Sequence, residues 1–189
     1  MHRIRVLPVG FILLAACAAW AGQLLNTGFE TDFGQRDQLN VWGEFGDRWG
    51  EAYQVNAGGQ HIARAKSGSR VLVINIPPNS WNGVWQQIPW KENAAFAWEG
   101  SYLIRGGDLP KDCMTFLKVE FYDAGDALLG MVEGDHHSSD TKGKWVKERM
   151  HGTTPAGTAA IRFIVIGGGN AGGQAVTDRI YWDDVDTMN

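Results

Sequence analysis

Cysteine is almost missing from this chain: two residues in 189, Cys17 and Cys113. Cys17 lies in the apolar N-terminal stretch, so Cys113 is alone in the remainder and no intramolecular disulfide frames the fold. Long apolar runs are also missing. A spanning helix needs about 20 consecutive apolar residues, and the longest run, Val6 to Ala19, falls short. Basic residues are outnumbered, 17 Lys and Arg against 21 Asp and Glu, for a net charge of −4. An acidic balance argues against nucleic acid and against anionic membranes as partners. Neither G-x-S-x-G nor H-E-x-x-H occurs, so no nucleophile elbow or zincin helix is encoded. Two carboxylates could serve glycoside hydrolysis, but among 21 acidic residues some pair always fits, so the signal has no specificity. No sustained helical period, internal repeat or low-complexity linker is present.

The N-terminus has secretory order. Met1-His2-Arg3-Ile4-Arg5 is basic, the run to Ala19 is apolar, and Ala19-Trp20-Ala21 is an A-x-A cleavage site. The division is therefore an export signal over 1–21 and one domain over 22–189. Leu14-Ala15-Ala16-Cys17 also resembles a bacterial lipobox, which makes a lipid anchor on Cys17 the competing reading. Cleavage after Ala21 leaves 189 − 21 = 168 residues, one domain with a real core. Loss of Arg3 and Arg5 leaves 17 − 2 = 15 basic residues against 21 acids, a net charge of −6. Secretion, to the periplasm, the medium or the cell surface, is the expected localisation.

What the chain has in excess is tryptophan, nine residues with only Trp20 in the leader, together with 25 Gly. Apolar and polar residues alternate with period two. Leu117, Val119 and Phe121 interleave with Lys118, Glu120 and Tyr122, and Ile161, Phe163 and Val165 interleave with Arg162, Ile164 and Ile166. Val71-Leu72-Val73-Ile74-Asn75-Ile76 is an apolar strand stopped by Pro77-Pro78, and Ile180 to Val185 closes the chain. Turn signals separate these runs at Asn56 to Gly59, Ser67-Gly68-Ser69, Asp123 to Asp126, Thr154 to Gly157 and Gly167 to Gly173. Many short strands with Gly and Pro turns predict an all-β sandwich or jelly roll.

Several clusters invite a functional reading. Gly167, Gly169 and Gly172 satisfy G-x-G-x-x-G, but a strand-like run follows where a dinucleotide fold needs a helix, so the segment reads as a flexible loop. Glu133 to Asp140 gathers carboxylates with His136 and His137, all metal-ligand types. Adjacent side chains on a strand point apart, and the expectation is a solvated loop. Glu30, beside Phe29, and Asp183, between aromatic residues and Val185, are acids next to core positions. A buried carboxylate is costly unless paired or metal-bound. If the first and last strands are neighbours, Glu30, Asp183 and nearby carbonyls would suit Ca²⁺. Alternatively, each acid caps a turn.

Read in order, six segments resemble carbohydrate-binding modules of the family 4, 9 and 22 type. They are Asn26-Thr27-Gly28-Phe29-Glu30, Ser67 to Leu72, Trp81 to Ile88, Lys118 to Asp123, Trp145 with Thr154 to Ala159, and Tyr181 to Val185. The resemblance implies a galactose-binding-like β-sandwich jelly roll. It also implies a structural calcium held between the N-terminal segment, a Gly-turn carbonyl and the closing Asp, which favours Glu30 and Asp183 as metal ligands. It implies non-catalytic binding of a polysaccharide or other glycan by Trp rings stacked on sugar faces. Trp42, Trp98 and Trp182 are expected in the core. Trp49, Trp81 and Trp85 stand among polar and Gly residues and are the ligand candidates, with Gln86 beside them. Glu99 and Arg105 share one alternation of the strand from Phe96 and are expected on the sheet face that meets a glycan. The 189 residues are expected to hold no catalytic domain beside the module, and fold implies function only by analogy. The alternatives are a surface or structural protein using the fold for protein contacts, and a small polysaccharide lyase or glycoside hydrolase.

Overall fold

The structure is a computed structural model, and it describes residues 24–25, 27–30, 42–46, 52–56 and 65–188. The export signal lies outside the described residues, as does Trp49. Among the described residues there is no helix, hence none long and apolar enough to cross a membrane. The strands are β1 (Gly43–Phe45), β2 (Ala52–Asn56), β3 (Arg70–Ile76), β4 (Ser80–Pro89), β5 (Ala95–Ile104), β6 (Cys113–Tyr122), β7 (Leu128–Glu133), β8 (Val146–Thr153), β9 (Ala160–Gly169) and β10 (Val176–Thr187). They form two five-stranded sheets, β1-β4-β9-β6-β7 and β2-β3-β10-β5-β8, with every pairing antiparallel. This is the all-β sandwich that the period-two patterning predicts.

The main core lies between the sheets. Val84, Leu117, Val119, Phe163 and Val165 of the first sheet meet Leu72, Ile74, Trp98, Ile104 and Trp182 of the second. Trp42, Trp98 and Trp182 are all buried, the places expected for them. Trp182 crosses the sandwich: its Nε1 donates to Thr115 Oγ1 at 2.9 Å, and that hydroxyl donates to the Ile166 carbonyl at 2.7 Å. A buried indole N–H needs such a partner. The unbroken apolar run of β3 has its reason here too. Leu72, Ile74 and Ile76 face the main core, while Val71 and Val73 pack in a second cluster with Ala65, Leu103 and Tyr181 on the outer face of the second sheet. A strand covered on both faces loses the alternation that a half-buried strand shows.

Two segments differ from the sequence expectation. Gly167 to Gly169 continue β9 and pair with β4 and β6, so only the residues beyond them form the loop. Gly168 leaves room for the Trp81 ring, Gly167 for Ile74, and Gly169, with φ of 130°, for the close approach of the Asp112 backbone. The Glu133 to Asp140 segment is mostly exposed, as a solvated loop is, but differs from the expectation in being anchored at His137. His137 pairs with Thr115 through both backbone hydrogen bonds, its ring stacks on Tyr102 at 4.2 Å, and its Nε2 lies 2.9 Å from the buried Glu148. His136 turns the other way and lies over Phe116, with ring centroids 4.4 Å apart. Both imidazoles are spent on packing, away from each other.

Candidate functional site

The outer face of the first sheet carries a group of aromatic rings, Phe45, Trp81, Trp85 and Phe116. Along β4, Asn82, Val84, Gln86 and Ile88 point inward and are buried, which leaves Trp81, Gly83, Trp85 and Gln87 outward. Strand register sets their neighbours. Trp81 lies level with Gly168 and Met114, and Gly83 with Phe45, Ile166 and Phe116. Trp85 lies level with Gly43, Ile164 and Lys118, and Gln87 with Arg162 and Glu120. Two of these positions are glycine because of a neighbouring ring, and at Gly83 a Cβ would meet the Val165 carbonyl first. A Cβ at Gly168 would overlap the Trp81 ring, one at Gly43 would overlap Trp85, and one at Gly83 would approach Phe45 at 2.8 Å. The rings therefore lie down across glycines of adjacent strands. Trp81 is the most open, 38 % exposed, with its edge against Phe116 at 5.7 Å between centroids and 77° between planes.

Beside this apolar half is a polar one. Phe45, Trp85, Lys118, Glu120, Arg162, Ile164 and Ile166 line a shallow cleft of about 160 Å³. Arg162 dominates it. Its guanidinium stands 4.3 Å over the Trp85 ring and 4.4 Å over the Tyr122 ring, contacts that each contribute about 0.5–2 kcal/mol. Its Nε and Nη2 donate to Gln87 Oε1 at 3.1 and 2.7 Å, and its Nη1 donates to Tyr122 Oη at 2.7 Å. Tyr122 in turn donates to Glu120 Oε2 at 2.6 Å, and Lys118 Nζ lies 3.0 Å from Glu120 Oε1. Burial pushes the Glu120 carboxyl up, but the Tyr122 hydroxyl, Lys118 and Arg162 outweigh it and hold the group below the usual carboxylate range. Burial, and then the Glu120 hydrogen bond, pushes Tyr122 up to about 12. At neutral pH the cleft thus holds one carboxylate, two cations and a neutral phenol. One partnered carboxylate is a hydrogen-bonding surface, not an acid and base pair.

Trp81 and Trp85, of the sequence candidates, come together on this face. Gln86 does not join them: it points inward at 4 % exposure, its Nε2 donates to the Leu25 carbonyl at 2.7 Å and its Oε1 accepts from Leu25 N at 3.0 Å. Its work is to fasten the N-terminal segment. Glu99 and Arg105 belong to the opposite sheet, Glu99 on β5 and Arg105 one residue past it. Glu99 is held by Lys147 at 2.6 Å and Arg149 at 2.9 Å, and Lys147 first among its partners lowers its carboxyl. The cleft residues that the sequence does not single out are Phe45, Lys118, Glu120 and Arg162, with Phe116 and Tyr122 packed beside them. The alternation of β6 and β9 already set Lys118, Glu120 and Tyr122 on one face and Arg162 with Ile164 and Ile166 on another; only the sheet order makes those two faces one.

The two ends of the described chain do meet. Val185 N donates to the Thr27 carbonyl at 2.8 Å, and the turn at Lys66 to Arg70 receives three acids. Glu30 accepts from Ser69 N at 3.0 Å and Arg70 N at 2.8 Å; burial raises its carboxyl, yet these amides bring it below the usual range. Asp184 takes Lys66 and Ser67 Oγ, both at 2.5 Å. Asp183 is fully buried, accepts from Ser67 N at 3.0 Å and Asp184 N at 2.8 Å, and is pushed up to about 6, chiefly by burial. A buried carboxylate held that high is one that an added cation would favour. No three acidic, His or Cys side chains among the described residues converge closely enough to hold a metal by themselves. A cation between Glu30 and Asp183 would need backbone carbonyls as well.

No family model matches the sequence, and no curated protein matches it. Solved structures do match. The chain is 17 % identical to the C-terminal family 22 carbohydrate binding module of Clostridium thermocellum Xyn10B, over 85 % of this chain and 90 % of that one, with a TM-score of 0.55. It is also 17 % identical to TmCBM61, solved with β-1,4-galactotriose, over 89 % of this chain and 99 % of that one, with a TM-score of 0.54. Against the enzymatically active domain of bacteriophage CBA120 tailspike protein 4 the identity is 11 % and the TM-score 0.54, and the chain spans 87 % of itself but only 21 % of that protein. With its two antiparallel sheets, the chain has the galactose-binding-like β-sandwich fold of the family 22-type carbohydrate-binding modules.

Proposed function

We propose that this chain is an exported, non-catalytic carbohydrate-binding protein, and that its site is the outer face of the β1-β4-β9-β6-β7 sheet. The observation that carries the reading is a row of rings on one sheet face: Trp81, laid across Gly168 and open to solvent, and farther along β4 Trp85, which lies against the fixed Arg162 guanidinium. A flat apolar ring next to fixed donors and acceptors is what a sugar asks for: its C–H face stacks and its hydroxyls are bonded. Structural neighbours include a xylan-binding domain and a module solved with galactotriose, which supports a polysaccharide as the ligand class. The N-terminal signal would deliver the domain across the membrane, by simple cleavage at Ala21 or by lipidation at Cys17.

Glu30 and Asp183 are proposed as side-chain ligands of a structural Ca²⁺ at the Lys66 to Arg70 turn, remote from the sugar face. The support is the meeting of both chain ends there and the burial that raises Asp183.

The test is titration of the purified domain with soluble xylan and β-1,4-galactan oligosaccharides, alone and as Trp81→Ala. Binding by the wild-type protein, lost in Trp81→Ala at an unchanged melting temperature, is the expected result. A second reading, self-association, has one observation in its favour: edge strand β7 exposes Leu128, Leu129, Met131 and Val132, and an apolar edge invites pairing. A domain that binds no glycan yet sediments as a dimer would bring that reading forward.

A further inference from the structure

The next inference rests on the carbohydrate-binding reading and concerns which glycans the cleft takes. Lys118 and Arg162 both reach the cleft, and Glu120 is the one carboxylate in its lining. Glu120 is shared, with Lys118 Nζ at 3.0 Å and Arg162 Nη1 at 3.6 Å. All three side chains are largely covered, at 16 %, 22 % and 14 % exposure for Lys118, Arg162 and Glu120. Glu133 sits level with Lys118 on β7, but it is 42 % exposed and bonded to His136 at 3.2 Å, outside the lining. Within that lining two cations face one carboxylate, and Asp126, just outside it, is held by Gln87 Nε2 at 3.1 Å. Hydroxyls of a neutral sugar could be met by amides alone. Two covered cations cost desolvation that one carboxylate only partly offsets.

Arg162 is also held still. Trp85 and Tyr122 lie against its plane, and Gln87 and Tyr122 accept from three of its nitrogens. A guanidinium fixed in this way offers its remaining N–H bonds as a planar fork suited to a carboxylate, with little freedom left to lose. We propose that the cleft selects glycans bearing carboxylates, that is, uronic acid residues, with Arg162 as the specificity-determining contact and Lys118 as its second. Trp85, Gln87 and Tyr122 are positioning residues acting through Arg162, while Trp81 supplies the stacking platform for the chain of sugars.

The experiment uses matched polysaccharides: glucuronoxylan and its carboxyl-reduced form, and polygalacturonate and its methyl ester. The acidic member of a pair should bind about tenfold more tightly at low salt, the scale of one charge-assisted contact. That advantage should shrink as ionic strength rises. Arg162→Gln should abolish the preference while keeping residual binding to the neutral form, and Arg162→Lys should restore part of the salt dependence. Trp81→Ala should weaken binding to both members alike. Should Arg162→Gln melt early, Lys118→Gln and the wild-type salt series carry the same test. Equal binding of acidic and neutral forms overturns the uronate assignment and leaves the carbohydrate reading standing. Binding to none of the four overturns both.

Discussion

Gly168 is small so that Trp81 can lie flat. Gly168→Ala should therefore lift the ring off the sheet. A Cβ there would also stand 2.8 Å from the Ser80 carbonyl, so the melting temperature should fall, and affinity for any bound glycan should fall toward that of Trp81→Ala. Calorimetric titration of the two variants checks this. Trp42 is the contrast. It is 2 % exposed, packs on Phe29 at 5.5 Å and donates to the Leu25 carbonyl at 3.1 Å. Trp42→Ala should cost about 3–5 kcal/mol of stability by denaturant titration, as large-to-small core changes do. Glu120 makes a third case. Its folded pKa lies below the ordinary value, so its contribution is present above about pH 4.5 and is lost as pH falls through the folded value. The melting difference between wild type and Glu120→Gln should shrink on acidification below that range; a constant difference down to pH 3 counts against the network. At this scale the sequence was informative where polarity is local. Trp81 and Trp85 stand among Gly, Asn and Gln, whereas Trp42 and Trp182 sit beside apolar residues. Gln86 misleads for the same reason: its neighbours do not reveal that its amide meets the backbone of a segment 61 residues away.

Elements depart from their sequence patterns where a single residue breaks the period. Strict alternation in β10 would set Tyr181, Asp183 and Val185 on one face. Instead Asp184 takes a left-handed backbone, with φ of 48°, and the register to β5 shifts between Asp183 and Asp186. Tyr181 packs in the outer cluster and Val185 in the main core, together with Trp182. This bulge turns the acids of the closing strand toward the Lys66 to Arg70 turn, and bulges commonly re-aim side chains in this way. If Ca²⁺ binds there, a hundredfold excess over its dissociation constant should stabilise the fold by about 2.7 kcal/mol. EDTA should lower the melting temperature, added Ca²⁺ should restore it, and Asp183→Asn should remove the response. Melting indifferent to EDTA, with no metal in the purified protein, would sink the proposal. The triple glycine of β9 was illegible for a related reason. Gly favours loops when read locally, and its use here depends on groups that arrive from elsewhere: the Trp81 ring at Gly168, Ile74 at Gly167 and the Asp112 backbone at Gly169.

For the whole molecule, sheet order decides what strand patterns leave open. Each strand announces two faces, but not which faces of distant strands become one surface. Lys118 and Arg162 share a cleft only because β9 lies between β4 and β6. Glu99 and Arg105 lie on the other sheet because β5 pairs with β8 and β10. The six-segment resemblance supplied the fold class because those segments mark turns and core positions. It did not supply the cleft: Trp85, Lys118 and Glu120 fall inside those segments, but Phe45, Arg162, Ile164 and Ile166 lie outside them, and only the sheet order brings the two sets together.

The same sheet order has a consequence in time. The last of the ten strands, β10, lies in the middle of its sheet, between β3 and β5. Until it is synthesised, β2-β3 and β5-β8 have nothing to join them. Pairings so distant along the chain form slowly, in about milliseconds to seconds, so a nascent polypeptide should stay open until its final strand is made. If the chain is exported, as proposed, that delay suits it, because a thread can pass a narrow translocation channel that a finished sandwich cannot. A version ending before Val176 should therefore be protease-sensitive and lack a cooperative melt, whereas the full chain should refold in one slow phase by stopped-flow fluorescence of its many tryptophans.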